Sequence, residues 1–187
     1  GGSEFAVARD GIVYARTTAD EPGQLVERDR SGVTRILKRS NADWLPLPTP
    51  SRVEALHFES SDGTPIQAWL LYPSDYDPAV SHPLILNIHG GPNLAYGDYF
   101  SFRFQRYAAE GYLVLLVNYR GSAGADMRHY ETAWAFPDKE YDDLMAGVDV
   151  ALDCANVDPD RLFVTGLSAG GILTAWLIGQ TLVATTG

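Results

Sequence analysis

Ser168 lies at the centre of a G-x-S-x-G pattern that spans residues 166–170. A run typical of a buried strand, Arg161 to Thr165, precedes the pattern, and an apolar run at helical spacing, Ile172 to Gly179, follows it. A serine on a tight strand-to-helix turn needs neighbours without bulk, because the backbone must bend for the hydroxyl to stand clear. The chemistry that this arrangement serves is nucleophilic attack by the serine on a carbonyl carbon.

A second loop offers donors for the oxygen that gains charge in such an attack. Residues 89–92, with the sequence His-Gly-Gly-Pro, follow a predicted buried strand, and a loop of this type supplies one amide of an oxyanion hole. We assign that amide to Gly91. We assign the other to Ala169, because a donor next to the nucleophile lies beside the reacting oxygen.

The general base that would activate Ser168 is not identified among the four histidines. His57, His82, His89 and His129 all precede the serine, whereas a nucleophile elbow of this type is followed in the chain by Asp or Glu and then by His. We therefore expect the aspartate and histidine to lie beyond this chain, and the chain as given to be inactive.

Four carboxylates follow Pro137, and a metal or acid site is one interpretation of such a group. We expect them instead to occupy the first turn of a helix, where carboxylates meet unsatisfied amides and the positive end of the helix dipole. They are Asp138, Glu140, Asp142 and Asp143. The sequence has no C-x-x-C, H-E-x-x-H, G-x-G-x-x-G or G-x-x-x-x-G-K pattern, so it predicts no metal and no cofactor.

Composition narrows the classes of partner. The formal net charge of −10 argues against binding nucleic acid or an acidic membrane surface, and the longest apolar stretches are too short for a membrane span. Cys154 is the only cysteine, which excludes an internal disulfide and favours a cytoplasmic location. Because Cys154 lies in a predicted helix, we expect it to be a small core residue. Residues 1–5 lack the features of a signal peptide. They are also consistent with a cut point, and we expect the native N-terminus to lie upstream. The sequence leaves the oligomeric state open.

The elements that must position these residues fall into two parts. The first forty residues predict four short strands separated by turn residues, which is an antiparallel β meander. Residues 41–50 contain three prolines and predict a linker. Residues 51–187 then predict a hairpin followed by alternating strands and helices, with helices at Tyr99–Glu110 and Tyr141–Cys154. This pattern indicates an α/β fold, the N-terminal part of an α/β-hydrolase domain with a mainly parallel sheet covered on both faces.

Taken in order, these residues resemble the prolyl oligopeptidase family of serine peptidases, especially its acylaminoacyl-peptidase and dipeptidyl-peptidase-like branch. The likeness covers about residues 53–180 and rests on several ordered matches. They are Ser61-Asp62-Gly63-Thr64 through Ala68-Trp69-Leu70 to Pro73, His89-Gly90-Gly91-Pro92, Asn118-Tyr119-Arg120-Gly121-Ser122, Tyr141-Asp142-Asp143-Leu144-Met145, Val157-Asp158-Pro159-Asp160-Arg161-Leu162 and Gly166 to Gly171. The resemblance implies Ser168 as nucleophile and Gly91 and Ala169 as oxyanion donors. It also implies that the meander is the last blade of a β-propeller.

Three departures from the family pattern stand out. Tyr119 replaces the proline usual in the N-P-R-G-S loop, and Ala125 or Asp126 stands where a second glycine is expected. After Gln180 the family continues through a polar segment into another strand, whereas this chain ends at Gly187. The parts that carry the family's aspartate and histidine, and most of the propeller, are therefore expected to be missing.

The sequence thus predicts a serine peptidase, an exo- or oligopeptidase, that cleaves short peptides through an acyl-enzyme in the full-length protein. A carboxylesterase is the alternative enzyme, because a fold does not determine the leaving group. Pro92 and the meander favour the peptidase. A non-catalytic truncated module is the alternative from another class, and the missing base supports it.

Overall fold

The computed structural model of this chain describes residues 5–19, 21–39, 50–91, 93–124 and 136–184. Those residues form two sheets and three helices. The strands are β1 (Phe5–Ala8), β2 (Gly11–Arg16), β3 (Gln24–Asp29), β4 (Thr34–Arg39), β5 (Val53–Glu59), β6 (Pro65–Leu71), β7 (His82–Ile88), β8 (Leu113–Asn118) and β9 (Val157–Gly166), and the helices are α1 (Phe102–Ala109), α2 (Asp138–Cys154) and α3 (Ala169–Ala184).

The first sheet is an antiparallel meander in the order β1-β2-β3-β4. Its turns use the residues expected of reversals. In the turn between β3 and β4, the Asp29 carboxylate accepts hydrogen bonds from the backbone amides of Ser31 and Val33, at 2.9 and 3.0 Å, and Gly32 adopts a positive φ of 90°. The expectation of a four-stranded meander is confirmed.

The second sheet has the order β5-β6-β8-β7-β9. β5, β6 and β8 pair antiparallel, while β8, β7 and β9 pair parallel. Helices α2 and α3 pack on one face with the larger core, and α1 packs on the other through Phe104. Every residue from Leu113 to Val117 of the central strand β8 is buried, because helices cover both of its faces. This is a partial α/β-hydrolase fold, as the sequence predicts.

Three expectations need correction. The strand before Ser168 is not buried: Leu162 and Phe163 are 44% and 50% exposed, because β9 is at the edge of the sheet. Helix α1 begins at Phe102, three residues later than predicted, and α2 begins three residues earlier. Cys154 is exposed, because it is the final residue of α2 and no further helical turn packs beside it.

The turn between β2 and β3 of the meander contacts α1 and the loop that precedes it. The backbone amide of Ala19 donates to the Asp98 carboxylate at 2.7 Å. The Gln105 side chain on α1 donates to the Ala19 carbonyl at 3.0 Å and accepts from the Ser51 amide at 3.0 Å. The predicted linker, residues 41–50, lies outside the described residues except for residue 50. Among the helices that the structure describes, none is both long and apolar enough to cross a membrane.

Candidate active site

The turn between β9 and α3 holds Ser168 in a strained conformation. Ser168 has a φ of 59°, and it is the one non-glycine residue with positive φ in the described part of the chain. A backbone of this kind costs about 1–3 kcal/mol and persists only where the surroundings impose it. The serine is exposed, so the turn presents its hydroxyl to solvent, as expected of a nucleophile elbow.

Two glycines allow this turn to pack closely. A Cβ on Gly166 would lie 2.2 Å from the Gly170 carbonyl oxygen, and a Cβ on Gly170 would lie 2.3 Å from the Ile88 carbonyl oxygen. Real Cβ atoms do not approach backbone oxygens so closely, since close-packed backbone cannot shift cheaply. The two glycines are therefore required by contacts within the elbow and between the elbow and the end of β7.

The loop after β7 lies directly against the elbow. A Cβ on Gly90 would be 3.2 Å from the Ser168 Cβ and 2.7 Å from the Leu167 carbonyl oxygen. Gly91 has a φ of 127°, a conformation that favours glycine. Pro92, the last residue of the predicted loop, lies outside the described residues. The structure thus brings the two predicted glycine-rich segments together, although they are almost eighty residues apart in the chain.

Two backbone amides near Ser168 are without a protein acceptor. At the start of α3, the amide of Gly171 donates to the Ser168 carbonyl at 2.9 Å and that of Gly170 to the Leu167 carbonyl at 3.1 Å. Within the described ranges, the amides of Ala169 and Gly91 make no hydrogen bond to a protein atom. The positive end of the helix dipole adds to the attraction of an anion at this place. The site can therefore bind a negatively charged oxygen beside the serine.

His89 is buried and contributes structure to the loop. Its Nδ1 lies 2.8 Å from the carbonyl oxygen of Gly90, and its Nε2 lies 2.9 Å from the Ser122 hydroxyl. Burial lowers the pKa of the imidazole, and the hydrogen bond to Gly90 opposes that shift in part.

The loop after β8 is anchored by a buried ion pair that sequence reasoning missed. Arg120 donates from Nε and from a terminal nitrogen to the two carboxylate oxygens of Asp143, at 2.9 and 2.7 Å, and its backbone amide donates to the same group at 2.8 Å. Asp62 accepts from the other side of the guanidinium at 3.0 Å and also from Lys139 at 2.9 Å. These partners raise the pKa of Arg120, chiefly through the bond to Asp143, and hydrogen bonds from Arg120 lower the pKa of Asp62.

The expectation for the acidic cluster is therefore only partly right. Asp138 and Glu140 lie in the first turn of α2, but neither caps it, since no side chain bonds to the first amides. Asp143 is fully buried on the side of the helix that faces Arg120. A signal was present in the sequence, because a carboxylate between apolar positions on the buried face of a helix requires a cationic partner. Among the described residues, no group of His, Cys, Asp or Glu could hold a metal ion.

The described histidines provide no base for Ser168. His57 is exposed on β5, and His82 donates from Nε2 to the Asp77 carbonyl at 3.2 Å. His89 is engaged with the loop, as above. His129 lies outside the described residues. None of the three described rings makes a hydrogen bond to Ser168.

Comparisons with known proteins agree with this geometry. Residues 98–182 match the prolyl oligopeptidase family. The chain is 36% identical over 172 residues to a protein called "Uncharacterized peptidase YuxL" from Bacillus subtilis, covering 91% of this chain and 26% of that protein. It is 27% identical over 182 residues to dipeptidyl-peptidase 5 from Porphyromonas gingivalis, covering 95% of this chain and 27% of that protein.

A solved structure extends the likeness to the fold. Acylaminoacyl peptidase from Pyrococcus horikoshii superposes with a TM-score of 0.85 at 26% identity, covering 96% of this chain and 29% of that one. The chain thus spans about a quarter of the length of the relatives that it matches. The family match and the agreement in sequence and fold show that this chain belongs to the prolyl oligopeptidase family.

Proposed function

We propose that the whole protein is a serine peptidase that cleaves short peptides through an acyl-enzyme. Ser168 is the nucleophile, and the backbone amides of Gly91 and Ala169 bind the oxyanion. The observation that carries this proposal is the strained Ser168 at φ 59°, beside two amides that have no protein acceptor within the described residues. Donors fixed before the reaction stabilise the developing charge without reorganisation, and each contributes about 10²–10³ in rate.

The reaction requires a base that takes the proton of the Ser168 hydroxyl as the oxygen attacks the scissile carbonyl. The base then returns this proton to the leaving amine, and water hydrolyses the ester that remains on the serine. We propose that a histidine oriented by an aspartate, both contributed by a part of the whole protein outside this chain, carries out these transfers. The absence of a histidine hydrogen bond to Ser168 in the described part of the chain supports this assignment.

Peptides are the proposed substrate class because the relatives are peptidases. Two of them are a dipeptidyl-peptidase and an acylaminoacyl peptidase, and a further similar structure is of an acylaminoacyl peptidase in complex with Z-Gly-Gly-Phe-chloromethyl ketone. A carboxylesterase would use the same elbow and the same donors, so hydrolysis of matched ester and anilide substrates separates the two activities.

We also propose a meander domain at residues 1–40, a linker at 41–50 and a catalytic part at 51–187. The single cysteine supports a cytoplasmic location, and the net charge of −10 supports partners other than nucleic acid or membrane.

The test compares three forms of the whole protein: wild type, Ser168→Ala and Ser74→Ala. Ser74 is an exposed turn serine and provides the matched control. We expect a fluorophosphonate probe to label the wild type and Ser74→Ala but not Ser168→Ala, and peptide hydrolysis to follow the same pattern. Labelling of Ser168→Ala at the wild-type level would remove Ser168 from its role. A folded wild type that neither reacts with the probe nor cleaves peptides would favour the non-catalytic module.

A further inference from the structure

The His89 side chain holds the peptide group that joins Gly90 to Gly91. Its Nδ1 lies 2.8 Å from the Gly90 carbonyl oxygen, and Nδ1 must be the donor because a carbonyl oxygen can only accept. In a trans peptide the C=O and the following N–H point in opposite directions. A bond that fixes the Gly90 carbonyl towards the imidazole therefore fixes the Gly91 N–H away from it.

The hydrogen bond from His89 matters because the two glycines themselves place little restraint on the orientation of this peptide group. Glycine populates positive and negative φ with similar ease, so a Gly-Gly peptide can rotate unless neighbouring groups restrain it. The Gly91 φ of 127° is one of several conformations open to glycine. The His89 bond selects the observed orientation.

The loop after β8 in turn clamps the imidazole. The Tyr119 ring stacks on the His89 ring with centroids 4.5 Å apart and planes at 16°, and Tyr96 packs edge-on at 5.1 Å. The Ser122 hydroxyl lies 2.9 Å from His89 Nε2 and donates to the Tyr119 carbonyl at 2.5 Å. The buried ring is thus restrained on one face, at one edge and at its outer nitrogen.

Tyr119 also holds the backbone of His89. Its hydroxyl donates to the His89 carbonyl at 3.0 Å, and the same carbonyl oxygen would be 2.7 Å from a Cβ on Gly170. The His89 carbonyl is therefore fixed between the Tyr119 hydroxyl and the start of α3.

We propose that His89 is a positioning residue that orients the Gly91 amide for oxyanion binding, and that Tyr119 clamps His89 in the required place. The inference rests on the proposed function, because it assigns to the Gly91 amide a role in the reaction of Ser168. Neither side chain touches the substrate. Both act through the peptide between Gly90 and Gly91.

The test measures kcat and KM for a peptide substrate in variants of the whole protein. His89→Asn places an amide nitrogen near the position of Nδ1 and can keep the bond to Gly90. His89→Gln places its amide near Nε2 and cannot. We expect His89→Gln to lower kcat by about 10²-fold, which is the loss on removal of one oxyanion donor, with KM changed by less than about threefold. We expect His89→Asn to recover kcat to within about tenfold of wild type.

Tyr119→Phe keeps the stacked ring and removes only the hydroxyl, so it serves if the His89 variants do not fold. We expect it to lower kcat by about three- to tenfold at unchanged KM, as for the loss of one hydrogen bond. Equal losses in His89→Asn and His89→Gln, wild-type kcat in His89→Gln, or wild-type kcat in Tyr119→Phe would each overturn the proposal. Ser168→Ala separates the two hypotheses: activity that survives it refutes the proposed function, whereas activity that depends on Ser168 but not on the His89 bond refutes only this inference.

Discussion

The contact between the start of α3 and the end of β7 predicts a large effect of one methyl group. In Gly170→Ala, the added Cβ would lie 2.3 Å from the Ile88 carbonyl oxygen and 2.7 Å from the His89 carbonyl oxygen. An unstrained contact requires about 3.5 Å, so the helix must move away from the loop after β7 by about 1 Å. That movement separates Ser168 and the Ala169 amide, on one side, from the loop that carries Gly91.

The expected cost follows from these distances. Insertion of a methyl group into close-packed backbone costs about 1–3 kcal/mol, and the better helix propensity of alanine offsets about 0.5–1 kcal/mol of it. A misplacement of about 1 Å between reacting groups can cost about 10²-fold in rate. We expect kcat/KM for a peptide substrate to fall by about 10²-fold in the whole protein, with a modest loss of stability.

Gly179→Ala is the matched control on the same helix. Among the described residues, no atom outside the local helix backbone lies within 4 Å of a Cβ at Gly179, so we expect that variant to be stabilised by about 0.5–1 kcal/mol with unchanged kcat/KM. The assay is steady-state hydrolysis with urea unfolding of each variant. If Gly170→Ala retained kcat/KM within about threefold of wild type, equivalent to roughly 0.7 kcal/mol, the close approach of helix and loop would not be what aligns the site.

Three further predictions follow from the described contacts. Asp143→Ala leaves the Arg120 guanidinium buried without its main carboxylate, so urea unfolding should show that the free energy of unfolding falls by about 3 kcal/mol. Lys139→Ala removes an exposed partner of the same network and should lower that free energy by less than about 1 kcal/mol. Equal losses in the two variants would contradict the view that the buried Arg120–Asp143 pair anchors the loop. The lowered pKa of His89 means that the unfolded chain binds the proton more readily, so stability should decline as the pH falls below about 6.5, and urea midpoints should show this decline in the wild type but less of it in His89→Asn. The 187-residue chain studied alone should lack Ser168-dependent peptide turnover. It should also bind a dye that recognises apolar surface, because β9 exposes apolar side chains, and Phe163→Lys should reduce that binding. Peptide cleavage by the chain alone, or the absence of dye binding, would refute this prediction.

Much of the site could be predicted from the sequence, because its signals are local. The elbow requires small residues at set positions around a serine, and the loop after β7 requires glycines directly after a buried strand. Such requirements concern residues a few positions apart, where chain geometry and turn chemistry dominate. The alternation of strands and helices likewise follows from local periodicity. For this reason the elbow at Ser168, the glycine-rich loop at Gly91 and the two sheets could all be recognised in the chain.

The remaining features depend on strand order, which local periodicity does not encode. A run of apolar residues has the same pattern in a central strand and in an edge strand, so the exposure of Phe163 was decided only when β9 took the outer position beside β7. The pairing of Asp143 with Arg120 and the clamp of Tyr119 on His89 join residues 23 and 30 positions apart. The clamp forms because the parallel strands β7 and β8 end side by side, and the ion pair forms because α2 packs beside the end of β8. The sequence alone determined which groups could react, and tertiary packing decided which side chains hold them in position.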